Sequence, residues 1–290
     1  MRKLPFRYRL AVVALLVLAL LPAQVASAGG GRAQIKNKVP SIESVTISPD
    51  ADATLDGVQV NPTPQGTTTV TVTIETKDLN GYNDISSVSV VVYQPDGTTV
   101  HVPAGDASLA SGHGVRGTWT YSFGMNYYDT PATDGASYKV VVTATDMQGA
   151  TADNSASPAT FNYTELLSIT VDTATIDFGA IDPGETSDVS AVTVTNQGNV
   201  TLDVVVSGTA LTYQSNSIDV SQIDYSLDAD FSSATALSTA GQTIDTFDLS
   251  AGAGSTKPLY FRLRVPSAEN QYLPAGSYEG TISIIATTSQ

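Results

Sequence analysis

Residues 69–75, Thr69-Val70-Thr71-Val72-Thr73-Ile74-Glu75, alternate without interruption between apolar β-branched and polar side chains. A period of two puts Val70, Val72 and Ile74 on one face and the threonines on the other, the pattern of a strand with one face in a core and one in water. The same reading extends outward. Ser87-Val88-Ser89-Val90-Val91-Val92 repeats it, and Pro95-Asp96-Gly97 then marks a tight turn. Thr118-Trp119-Thr120-Tyr121-Ser122-Phe123 sets aromatic rings at alternate positions, which assigns the only tryptophan to the core. Tyr138–Ala144 is a further strand. Nothing in this half has a helical period. Short strands separated by Gly, Pro and Asp turns predict a β-sandwich.

Asp134-Gly135-Ala136-Ser137-Tyr138-Lys139-Val140 resembles the tyrosine corner of immunoglobulin-like domains. That resemblance implies strands A at Ser41–Ser48, B at Thr68–Thr76, C at Ser87–Tyr93, E at Thr118–Phe123, F at Tyr138–Thr145 and G at Ala159–Thr164. It also implies that the Tyr138 hydroxyl bonds back to nearby backbone. Val140 stands where antibody domains carry a cysteine, so the disulfide version is excluded.

In the second half, Ile176-Asp177-Phe178-Gly179, Asp182-Pro183-Gly184-Glu185 and Val192–Asn199 are similar to an immunoglobulin-like module of hydin-like domains and of bacterial and archaeal surface proteins. The resemblance implies Phe178 at one end of a core. It also implies a turn at Pro183-Gly184 and a reversal at Gln197-Gly198 into Val200–Val206. Leu259–Pro266 alternates as a strand, and the second half holds enough segments to complete its own sheet. The expected fold is all-β: two tandem immunoglobulin-like β-sandwiches, residues 40–165 and 166–290, joined by a short connection near Glu165.

Residues 1–28 read as a cleaved signal peptide: Arg2, Lys3, Arg7 and Arg9, an apolar run from Leu10 to Leu21 too short to span a bilayer, and Ala26-Ser27-Ala28. The expected mature chain begins at Gly29, is secreted to the extracellular cell surface, and has no membrane span. It keeps nine Lys and Arg against 28 Asp and Glu, a net charge of −19. Such acidity excludes a basic nucleic-acid stripe. Asp outnumbers Glu by 22 to 6, which suits turns. The absence of cysteine removes disulfides, thiol catalysis and Cys-ligated zinc. Residues 29–39 form an expected extended arm, locally basic through Arg32, Lys36 and Lys38, with no obvious pairing partner. It is either a disordered leader or a strand lent to the next subunit by β-augmentation.

In a sandwich of this kind the B–C and F–G loops share one end. Asp78, Asn80 and Asp84 of one and Asp146 of the other can then offer hard oxygens to one calcium ion, which takes six to eight. The alternative is a set of Asx-turns capping strand ends, with Gly81 supplying a positive φ. His101 and His113 fall in a Gly/Ala/Ser-rich stretch read as a solvated loop, and no nucleophile elbow is present. Asn162 and Asn199 head glycosylation sequons. The expected function is a non-catalytic structural or adhesive subunit that contacts itself or other cell-surface proteins. The alternative is a calcium-assisted module binding glycans or proteins.

Overall fold

The alternating segment at 69–75 becomes the middle of an eleven-residue strand in the computed structural model, which describes residues 32–52, 57–132 and 135–289. The expected leader, Gly29–Gly31 of the arm and Asp134 of the tyrosine corner lie outside those residues. Residues 32–37 have no regular secondary structure and are exposed.

From Ser41 the strands are β1 (Ser41–Ser48), β2 (Val58–Val60), β3 (Thr67–Lys77), β4 (Ile85–Tyr93), β5 (Val100–Asp106), β6 (Ser108–His113), β7 (Arg116–Asn126), β8 (Tyr138–Asp146), β9 (Thr151–Asp153) and β10 (Ala159–Tyr163). One sheet runs β1-β3-β7-β6. The other runs β2-β10-β8-β4-β5, with β9 also on β8. Only the β10–β2 pairing is parallel in these two sheets. Val70, Val72 and Ile74 of the first sheet meet Val88, Val90, Val92, Val140 and Val142 of the second in one buried cluster. Trp119 joins it and donates its indole N–H to the Thr76 hydroxyl at 3.0 Å, so its one polar atom is satisfied inside the core.

All six strands expected here are present; four are extended by up to three residues at an end, β1 has the expected bounds and β10 stops one residue short, at Tyr163. The Tyr138 hydroxyl donates to the Thr130 carbonyl at 2.7 Å, as a tyrosine corner requires. Burial pushes its pKa up from 10.0, and pushes that of neighbouring Tyr163 up to about 12, so both stay neutral donors.

The second half holds β11 (Ile169–Val171), β12 (Ser190–Asn196), β13 (Leu202–Gly208), β14 (Leu211–Tyr213), β15 (Asn216–Ile218), β16 (Ile223–Ser226), β17 (Thr235–Ala236), β18 (Gln242–Leu249), β19 (Thr256–Leu263) and β20 (Ile282–Thr288). One sheet runs β11-β12-β19-β16-β17 and a smaller one β18-β13-β20; β14 and β15 form a separate hairpin. Val192, Val194, Leu259 and Phe261 of the larger sheet face Leu202, Val204, Phe247 and Leu249 of the smaller. No α-helix occurs among the described residues, and none of them forms a helix long and apolar enough to cross a membrane. The fold is all-β and sandwich-like.

One expectation fails here. The smaller sheet is not completed: among the described residues β20 pairs β13 on one edge and no strand on the other. Residues 172–189 and 264–281 contribute only the bridges Thr186–Arg264 and Thr212–Glu279. These stretches hold Pro183, Pro266 and Pro274 with Gly179, Gly184, Gly276 and Gly280, which remove ladder donors and favour turns. The turn expected at Pro183-Gly184 does form: Gly184 has φ 93, and the Glu185 N–H donates to the Asp182 carbonyl at 3.0 Å.

The connection between the two cores is held by the Asn196–Asn199 reversal. Asn199, 3% exposed, accepts the Leu166 N–H at 2.6 Å and donates its amide to the Thr164 carbonyl at 2.9 Å. The Gln197 N–H reaches the Ser168 carbonyl at 2.8 Å. Asn196 is fully buried and donates to the Val200, Leu249 and Ser250 carbonyls. Gly198 leaves no room for a side chain, because a Cβ would overlap the Leu166 carbonyl. The Asn199 carboxamide is thus occupied in the folded protein, whatever its sequon.

Two outcomes follow from these local contacts. Gly198→Ala must push the connection away, and is expected to cost about 1–3 kcal/mol, read as a lower urea midpoint than wild type. The turn aspartates give an acid dependence. Hydroxyl and backbone N–H donors from Thr99, with the Thr98 N–H, hold exposed Asp96 down at about 2, and similar donors lower Asp153, Asp172, Asp219 and Asp230. Folded values below the unfolded 3.8 mean stability that is present above about pH 4 and lost as pH falls toward 2. Urea midpoints measured from pH 6 to pH 2 should fall across that window; a flat profile would refute this origin.

Candidate metal centre

Two loops at the same pole build the site. The first leaves β3 at Asp78, makes a short 3-10 turn at Tyr82–Asp84 and enters β4. Gly81 there has φ 119 and ψ 150, a backbone region essentially confined to glycine. The second leaves β8 at Asp146 and turns back at Gly149, φ 83, toward β9. The Met147 N–H donates to the Asp84 carbonyl at 2.7 Å, stitching the loops together, and the Ser86 hydroxyl donates to the Asp146 carbonyl at 3.0 Å.

Carboxylate oxygens of Asp78, Asp84 and Asp146 lie within 4.8 Å of one another. Asp78 is 1% exposed and Asp146 2%; Asp84 is half-buried. Three of the four expected ligands therefore converge. The fourth, Asn80, is exposed, and its side-chain oxygen accepts the Lys38 N–H at 2.7 Å.

The Asx-turns expected as the alternative form as well, and in Asp78 the turn uses only one of the two carboxylate oxygens. Asp78 Oδ1 takes the Asn80 N–H at 2.7 Å. Asp146 Oδ1 takes the Gln148 and Ala150 N–H groups at 2.9 and 2.8 Å. Asp78 Oδ2 is buried with no hydrogen-bond partner among the described residues. Leaving a carboxyl oxygen buried and unpaired is costly. A hard divalent cation relieves that cost, and three carboxylates supplemented by backbone carbonyls and water suit calcium.

His101 is not in a solvated loop. It lies on β5, packs edge-on against Tyr138 with centroids 5.3 Å apart, and sets Nε2 3.4 Å from Asp129 Oδ2. His113 is exposed at the end of β6. The Gly/Ala/Ser-rich stretch becomes strand because β4 and β7 supply ladder partners on either side. Sequence reasoning also missed the apolar neighbours of the carboxylates. Leu79 and Met147, each next in sequence to a buried aspartate, are both exposed. A large apolar residue beside an acidic loop position was the available signal.

No family model and no curated protein sequence matches this chain. Among solved structures it is similar to Escherichia coli alpha-2-macroglobulin activated by porcine elastase, at 10% identity and a TM-score of 0.21, over 88% of this chain and 22% of that one. The chain spans about a fifth of that protein's length, and a likeness this slight carries no argument.

Calcium binding has a direct readout. Adding calcium to metal-stripped protein at about 100 times its Kd should stabilise it by about 2.7 kcal/mol and raise Tm by about 5 °C or more. Asp78→Asn keeps the acceptor for the Asn80 N–H but removes a charge, and should abolish the rise. An unchanged Tm in the wild type would end the assignment.

Proposed function

We propose that this protein is an exported, non-catalytic structural or adhesive subunit of a cell surface, acting through protein–protein contacts of two tandem immunoglobulin-like sandwiches. The observation that carries the reading is the edge of β20. Ile282 and Ile284 are only half-buried there and Ile285 is exposed, on a chain whose composition is strongly acidic. An open, apolar sheet edge is a template for pairing with another chain. The immunoglobulin-like assignment is supported by the shared layout of the two halves. In each, a strand central to one sheet (β3–β7, β12–β19) faces a strand pair of the other (β4–β8, β13–β20). Its partners are other cell-surface proteins or further copies of itself.

A second reading rests on the carboxylate cluster. With calcium bound between Asp78, Asp84 and Asp146, exposed Leu79 and Met147 would flank a rigid pole suited to a glycan or protein ligand. Electron microscopy of the mature protein separates the two. Filaments or arrays without added ligand are the outcome expected of a structural subunit. Monodisperse particles that bind a glycan array only with calcium would replace it with the second reading.

A further inference from the structure

The two sheet pairs differ at one edge, and the difference leaves a groove. In the N-terminal pair, β8 bonds β4 on one edge, while β9 and β10 cover the other. Beyond β10 comes β2, the segment that follows the first strand. In the C-terminal pair β20 holds the place of β8, bonded to β13 as β8 is to β4. Residues 173–183, which follow β11, hold the place of β2. Nothing among the described residues holds the place of β10. Beside the free edge of β20 lies a cavity of about 1300 Å³, lined by residues 173–183, by residues 273–281 and by Ile282–Ile284 of β20, and reaching Leu263 of the opposite sheet. The consequence shows in burial: Tyr138, Val140, Val142 and Ala144 of β8 are fully buried, whereas Ile282, Ile284 and Ala286 of β20 are only half-covered. The groove exceeds the roughly 300–1,000 Å³ of a small-molecule pocket. Its missing neighbour is a strand.

We infer that this groove receives residues 32–39 of a second copy of the chain, which pair with the open edge of β20 and complete the C-terminal sheet. The inference deepens the structural-subunit reading and rests on it for the partner. In Arg32-Ala33-Gln34-Ile35-Lys36-Asn37-Lys38-Val39 a period of two puts Ala33, Ile35, Asn37 and Val39 on one face, apolar but for Asn37, and Arg32, Gln34, Lys36 and Lys38 on the other. Every one of these residues is exposed, Ile35 at 85% and Val39 at 60%. Eight extended residues span about 26 Å, enough to follow the edge of all seven residues of β20, about 23 Å, of which Ile282–Ile284 line the cavity. Charge matches too. The arm carries three of the nine cationic residues outside the expected leader and no acid, while Asp177, Asp182 and Glu279 line the groove. Lys38 is tied to Asn80 at the pole where β3 ends, whereas the connection at Thr164–Leu166 leaves the opposite pole. Donor arm and acceptor groove are thus different patches of the chain, and a head-to-tail contact between them builds an open chain unless its rotation closes a ring.

The test adds a synthetic peptide of residues 32–40 to the full mature protein and follows hydrogen exchange along the chain. Slower exchange confined to Ile282–Thr288 and the residues lining the groove is expected. A peptide carrying Ile35→Asp should bind at least about tenfold more weakly, since it puts a charge where an apolar side chain is buried. Ile35→Asp in the full-length protein leaves the cores untouched and should shorten or abolish assemblies seen by sedimentation. Unchanged exchange at Ile282–Thr288 under saturating peptide, or equal binding of the wild-type and Ile35→Asp peptides, overturns the inference. Arrays on the microscope grid with no protection of β20 would sink this docking site and leave the structural reading standing. Protection of β20 by a protein that never forms arrays would do the reverse.

Discussion

The structure depends on burying one face of each central strand against the facing sheet. With no cysteine and no α-helix among the described residues, the cores at Val70–Ile74 and Val192–Val194 rest on alternation alone. A slip of one residue in β3 would turn Val70, Val72 and Ile74 to water and three threonines inward. The unbroken eleven-pair register between β3 and β7 fixes against that slip, and the Trp119–Thr76 bond pins it at one end. The poles inherit their geometry from this register. Asp78 and Asp146 converge because β3 and β8 end at the same level on facing sheets.

Turn chemistry does much of the remaining positioning. The excess of aspartate over glutamate is spent where short side chains reach back to their own backbone: Asp96 to Thr98 and Thr99, Asp153 to Ser155, Asp219 to Ser221. The same device organises the carboxylate pole, where one oxygen of Asp78 and one of Asp146 serve the loop. In Asp78 the turn takes one oxygen, Oδ1, and leaves Oδ2 buried with no hydrogen-bond partner among the described residues.

Strands with strict alternation of β-branched residues were legible in the sequence, because period and propensity agree there. Strands β5 and β6 were not. Their Gly, Ala and Ser carry little β-propensity, and the partners β4 and β7 impose the extended form. Asp78, Asp84 and Asp146 were found because loop adjacency follows from strand order. The contact of Asn80 with the backbone of Lys38, 42 residues away, was not legible, because no local pattern marks it. The open edge of β20 lay beyond sequence reading altogether. Counting apolar segments shows how many strands a chain can make, not which edges they cover, and residues 172–189 and 264–281 hold enough proline and glycine to stay out of the ladder.

The junction at 164–168 has a mechanical consequence. A pull on the two ends of the chain crosses this short stretch of backbone, and the Asn199 carboxamide bridges it with two short hydrogen bonds. Those bonds and the Gln197–Ser168 contact are the first to bear the load. Shearing them would free the backbone of 164–168 to lengthen, a step local to the junction.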